Sequence, residues 1–135
     1  MAVIFVAHSK QTAAWGGDVG LGKNIYLLNT AEDDEAAAAF LAAKPCGAED
    51  WLLIKKEERD EADASALQDK LAVKEKRVDP NLYPRLRGFT GLFKVKVENV
   101  ENHVMVKKAL EGEQPKEIKI KPADIAAYLL HNALK

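Results

Sequence analysis

Cysteine is almost absent. A single Cys46 in 135 residues excludes an intrachain disulfide and a zinc site built from several thiolates. No apolar run approaches the roughly 18 residues that span a bilayer. The apolar start, Met1 to Ala7, has no basic flank and stops at His8. It is too short for a leader with its cleavage site, so it reads as a strand. No repeat recurs at a period of about 20–50 residues, which argues against a solenoid. The three histidines, His8, His103 and His131, are far apart, and the chain has no CxxC and no i,i+4 histidine pair. No metal site is therefore expected. No G-x-S-x-G elbow is present either, so nothing assigns a catalytic residue. Cytoplasmic residence is the default expectation, with no membrane contact and no cofactor.

What the chain does have is charge sorted by position. Residues 1–69 carry six Lys/Arg and thirteen Asp/Glu, a net of −7; residues 70–135 carry fourteen and eight, a net of +6. The total of −1 hides an acidic half joined to a basic half. Such asymmetry bears on partners and association, not on fold.

At this length the chain is expected to form one domain, residues 1–135, able to bury a substantial core. Residues 2–7 suit a strand buried on both faces. Residues 8–23, with Gly16, Gly17, Gly20 and Gly22, read as a glycine-containing connection, and Ile25 to Leu28 as a second strand. Thr30-Ala31-Glu32-Asp33 resembles a capping box opening an alanine-rich helix over 31–43, which Pro45 and Gly47 end. Residues 51–54 read as a third strand. Leu67 and Leu71 mark the apolar stripe of a helix over 60–76. A long connection over 77–91 follows. Alternation predicts strands at 92–97 and 117–121. Residues 99–111 fit a helix better than a hairpin, and Pro122 opens an apolar helix over 122–134. The order favours an α+β fold: a mixed sheet of about four to five strands covered by three to four helices.

Two regions are candidates for function. Gly17-Asp18-Val19-Gly20-Leu21-Gly22-Lys23-Asn24 has the spacing of a Walker A loop, with Asn24 where Ser or Thr should ligate magnesium. A strand-like segment follows it where a helix should, so a plain turn between strands is favoured. The same stretch could still bring His8, Ser9, Lys10, Asp18 and Lys23 together beside Trp15, a candidate anion or small-ligand site at a strand end. The other region is the basic half. Alternation would place Lys94, Lys96, Lys119 and Lys121 on one sheet face, near Arg85 and Arg87 and interleaved with Tyr83, Phe89 and Phe93. Such a face suits an acidic protein, a second copy of this chain, or nucleic acid. On the last helix Asp124, Tyr128 and His131 share a face, which reads as its solvated side. Cys46 has no base partner in sequence and reads as passive. The favoured expectation is a small non-catalytic binding or regulatory protein using its basic C-terminal surface toward an acidic protein partner. A small enzyme or nucleotide-binding protein with its site at 8–23 is the alternative, and a nucleic-acid binder the third reading.

Overall fold

The computed structural model describes residues 2–21, 24–43, 48–78, 83, 91–112 and 120–134. Five strands, β1 (Ala2–His8), β2 (Ile25–Ala31), β3 (Leu52–Arg59), β4 (Lys76–Arg77) and β5 (Leu92–Lys94), form one sheet in the order β3-β1-β2-β5-β4. The fold class is α+β, as expected. All four strand pairings are antiparallel, and the described residues include five helices, α1 (Lys10–Asp18), α2 (Asp34–Ala42), α3 (Ala64–Leu71), α4 (Val97–Leu110) and α5 (Pro122–Leu134). No helix among the described residues is long and apolar enough to cross a membrane.

β1 is an interior strand, apolar from Ala2 to Ala7, and its alternate residues feed two cores. Ile4 and Val6 face a cluster built with Leu71 of α3, Val100 of α4 and Ile125, Leu129 and Ala133 of α5. Phe5 and Ala7 face a second cluster with Ile25, Leu27, Ala37 of α2 and Leu92. A strand covered on both faces reads as a continuous apolar run, which is why its sequence signal is plain.

The element boundaries differ from expectation where capping and pairing override propensity. The stretch 8–23 contains α1, although two glycines lower its helix propensity. Ser9 caps it by accepting from the Thr12 N–H at 3.1 Å. Its other end closes as a Schellman turn: Gly20, at φ 85°, lets the Leu21 N–H reach the Gly16 carbonyl at 2.7 Å. The second strand runs to Ala31, so Thr30 is not a cap. Asp33 caps α2 instead, accepting from the Ala36 N–H at 2.7 Å. The third strand continues through Lys55-Lys56-Glu57-Glu58-Arg59 to pair along β1. It is a sheet edge, where charged side chains are tolerated, so its composition hides it. The third helix shrinks to Ala64–Leu71, capped by Asp63. The strand expected over 92–97 stops at Lys94, and α4 takes the chain from Val97, so the helical reading of 99–111 stands. Residues 117–119 of the strand expected at 117–121 lie outside the described residues; Ile120 and Lys121 are not in a strand. The last helix forms where expected.

Candidate functional site

The helix pair α4–α5 builds a concave surface, and a buried carboxylate holds the pair in place. Glu75, just beyond α3, is 3% exposed. It accepts from the Lys96 N–H at 3.0 Å, from Asn99 Nδ2 at 3.0 Å and from the Tyr128 hydroxyl at 2.9 Å. One acid therefore ties the start of α4 to the middle of α5. Burial, with Glu75 as acceptor, pushes the Tyr128 phenol far above its ordinary range. His103 lies edge-on to Tyr128, ring centres 5.5 Å apart, and tilted toward His131, centres 5.0 Å apart. Lys107 and Glu111 of α4 flank a cleft with Asp124 and Ala127 of α5. The two helices therefore run antiparallel.

Between this pair and the exposed edge of the sheet lies a groove of about 620 Å³. Lys55, Glu57 and Arg59 of β3 form one wall. A bulge opposite Val6 and Ala7 leaves Ile54 unpaired, so Ile54 packs on the α5-side core while Lys55 lines the groove. His103, Val106, Lys107 and Leu110 of α4 form the other wall, and Leu130, His131 and Leu134 of α5 lie between them. Val106 and Leu110, one turn apart, are 59% and 84% exposed. Arg59 pairs with Glu57 at 2.7 Å. Lys55 and Lys107 make no ion pair among the described residues. Burial, the neighbouring His131 and then Lys107 hold the His103 imidazole below its ordinary pKa.

The residues expected at 8–23 are only partly brought together. Ser9 is buried, and its hydroxyl donates to Asp50. The Gln11 N–H also donates to Asp50, at 3.1 Å. The hydrogen bond from Ser9 is the main reason that the Asp50 carboxyl lies below its usual range. The first turn of α1 thus already meets a carboxylate of its own chain, where a helix N-terminus would otherwise attract an anion. His8 lies tilted against Tyr26, ring centres 4.8 Å apart, beside a cleft of about 430 Å³ that Lys10 and Asn24 also line. Burial lowers the His8 pKa; Asp50 opposes that shift and Lys10 adds to it. Asp18 does not join them. It ends α1, nine residues beyond Ser9, or about 13 Å along the helix. Lys23 lies outside the described residues, as does Cys46.

Among the described residues, Lys94, Lys96 and Lys121 do not share a sheet face. Lys96 immediately precedes α4, and Lys121 immediately precedes α5. Because these helices are antiparallel, the two lysines sit at opposite ends of the pair, about 20 Å apart. Lys94 is on β5 opposite Lys76. Arg85, Arg87, Phe89 and Lys119 lie outside the described residues. Phe93 is fully buried, with the Arg77 guanidinium 5.8 Å from its ring centre. Tyr83 packs edge-on against Trp15 at 5.5 Å. Phe93 therefore presents no face for base stacking. The trio on α5 also separates: Asp124 accepts from the Lys121 N–H at 3.0 Å, Tyr128 is buried on Glu75, and His131 faces His103. This helix face is therefore not simply solvated.

Sequence reasoning missed the groove residues Lys55, Arg59, His103 and Leu110, and took Lys107 only as one lysine of the basic half. The one local signal is Val106 and Leu110 at i,i+4 beside lysines, an apolar pair on a helix whose core side is already supplied by Val100 and Val104. No group of three or more potential metal ligands is assembled among the described residues. No family model, no curated protein and no solved structure matches the chain.

Proposed function

We propose that this chain is a non-catalytic binding protein whose groove between β3, α4 and α5 docks an acidic, partly apolar segment of another protein. The observation that supports this reading is the make-up of the groove. Val106 and Leu110 stand exposed beside Lys107, across from Lys55 and Arg59. Single exposed apolar residues are ordinary, but here two in line share a concavity with cations. Its one acid, Glu57, is already paired with Arg59. A segment with alternating acidic and apolar side chains would cover the leucine and valine and oppose the lysines. Complementary charge of this kind gives on-rate and register, while the buried apolar anchors give affinity.

The test is fluorescence anisotropy with a labelled peptide of alternating Glu and Leu. Saturable binding is expected at about 50 mM salt, weakening as salt shortens the reach of the field. Lys107→Glu and Leu110→Glu should each weaken it by about tenfold or more, a change of about 1.4 kcal/mol. Wild-type affinity in both variants would show that the groove is not the docking site.

A further inference from the structure

We propose that the paired imidazoles of His103 and His131, together with Lys107, form an oxyanion clamp that seats a carboxylate of the docked segment and takes up protons as it does so. The proposal rests on the docking reading above and specifies how the groove is regulated. The two rings lie 5.0 Å apart between centres, and both line the groove. Two imidazolium charges that close repel one another, so the empty groove disfavours full protonation of the pair.

The surroundings sharpen this. On α4, Lys107 stands one turn from His103, with Lys108 and Glu111 around the adjoining cleft. On β3 the groove wall offers Lys55, Glu57 and Arg59. On α5, Tyr128 meets His103 edge-on and Asp124 lines the adjoining cleft. Every nearby acid with a known contact is engaged elsewhere: Glu57 with Arg59, Asp124 with the Lys121 N–H, and Glu75 with its three donors. Among the described residues no carboxylate makes an ion pair or hydrogen bond with either imidazole. Burial and the adjacent cations already disfavour the charged form of His103. An incoming carboxylate supplies the missing opposite charge, and an opposite charge within about 4–6 Å favours the protonated form. Setting the Arg59–Glu57 pair aside, the groove's cations rise from two, Lys55 and Lys107, to four when both imidazoles are charged. Linkage is reciprocal: if docking raises the His103 pKa, lowering the pH must tighten docking.

The test uses the labelled Glu/Leu peptide at pH values of about 5.5 and 7.5 and constant ionic strength, a range in which glutamate stays largely ionised. Wild type should bind about fivefold tighter at the lower pH, what a one-unit rise in one imidazole pKa gives over this span. A His103→Gln/His131→Gln double variant should bind equally at both. His131→Lys, with a permanent charge, should retain at the higher pH most of the affinity that wild type shows at the lower. Imidazole NMR titration of the wild-type protein, with and without saturating peptide, should show the His103 pKa rising on binding. That measurement decides the matter even if the double variant does not fold. Equal wild-type affinity at both pH values, or unchanged imidazole titrations, overturns the clamp and leaves docking intact. Failure of the peptide to bind at either pH overturns docking and the clamp together. Preference for a single-stranded oligonucleotide over the peptide overturns the protein partner.

Discussion

Glu75 shows how one residue can organise a site without lining it. Its carboxylate satisfies three donors from α4 and α5, so removing it strands the buried Tyr128 hydroxyl and takes a partner from the part-buried Lys96 N–H and Asn99 amide. Groups stranded in this way cost about 1–3 kcal/mol apiece. Glu75→Ala should lower the unfolding free energy by about 2–4 kcal/mol in urea titrations, and Glu75→Gln by less, because the amide oxygen still accepts. A loss below about 0.5 kcal/mol for the alanine variant would mean that the network does not hold the helices. Gly91 is the other single-residue constraint. Its φ is 108°, and a Cβ would sit 2.8 Å from both the Leu28 carbonyl and Gln68 Nε2. Those two atoms are themselves bonded at 3.0 Å, and the Leu28 N–H donates to the Gly91 carbonyl at 2.9 Å. Gly91→Ala should cost about 1–3 kcal/mol in backbone strain, with the contact adding to it. An unchanged melting midpoint would contradict this geometry.

At the scale of elements, α5 is the helix on which both the core and the groove depend. Leu129 is fully buried among β1, α3 and α4 side chains. Leu129→Ala should cost about 2–5 kcal/mol out of a total of about 5–15, read as a clear drop in melting midpoint. Leu110→Ala, on the exposed side of α4, should stay within about 0.5 kcal/mol while weakening peptide docking. Equal effects of the two on stability would show that α5 is peripheral. The helices α4 and α5 were legible in sequence because their stops and starts, Gly112 and Pro122, agree with their apolar spacing. The helix α1 was not. Its glycines argue for a loop, and only the Ser9 cap and the Gly20 turn, both realised in three dimensions, hold it. β3 was half legible: its apolar start reads as a strand, whereas the charged run that completes it is permitted because it lies at an edge. That charge and the bulge protect the edge from pairing with another chain. Lys56→Val/Glu58→Val should therefore increase concentration-dependent association in size-exclusion chromatography.

Across the whole molecule, protonation sets the range of pH in which the fold is most stable. Burial lowers the pKa of His8 and His103 in the folded state below the ordinary 6.5. The unfolded chain then binds protons that the folded chain refuses. Stability from these groups is complete above 6.5 and falls as the pH drops through the folded values. Burial also raises Tyr26 and Tyr128 above the ordinary 10.0. Their contribution is complete below 10 and falls as the pH rises beyond it, because the unfolded phenols ionise first. Thermal melts should show a plateau between about pH 7.5 and 9.5, with decline on both sides. A midpoint that rises as the pH falls from 7 to about 5.5 would contradict the histidine assignment.

The amino-acid sequence by itself determined the α+β class, the doubly covered strand β1 and the apolar helix α5, because each rests on local periodicity and punctuation. It also determined the separation of charge between the halves. Only the tertiary structure decided where that charge acts. The groove takes Lys55 and Arg59 from the acidic half and Lys107 from the basic half, so the division along the chain is not the division on the surface. Likewise His103 and His131, 28 positions apart, meet because Glu75 draws two antiparallel helices together. Strand pairing and helix packing bring distant residues together, and no local pattern records which ones will meet.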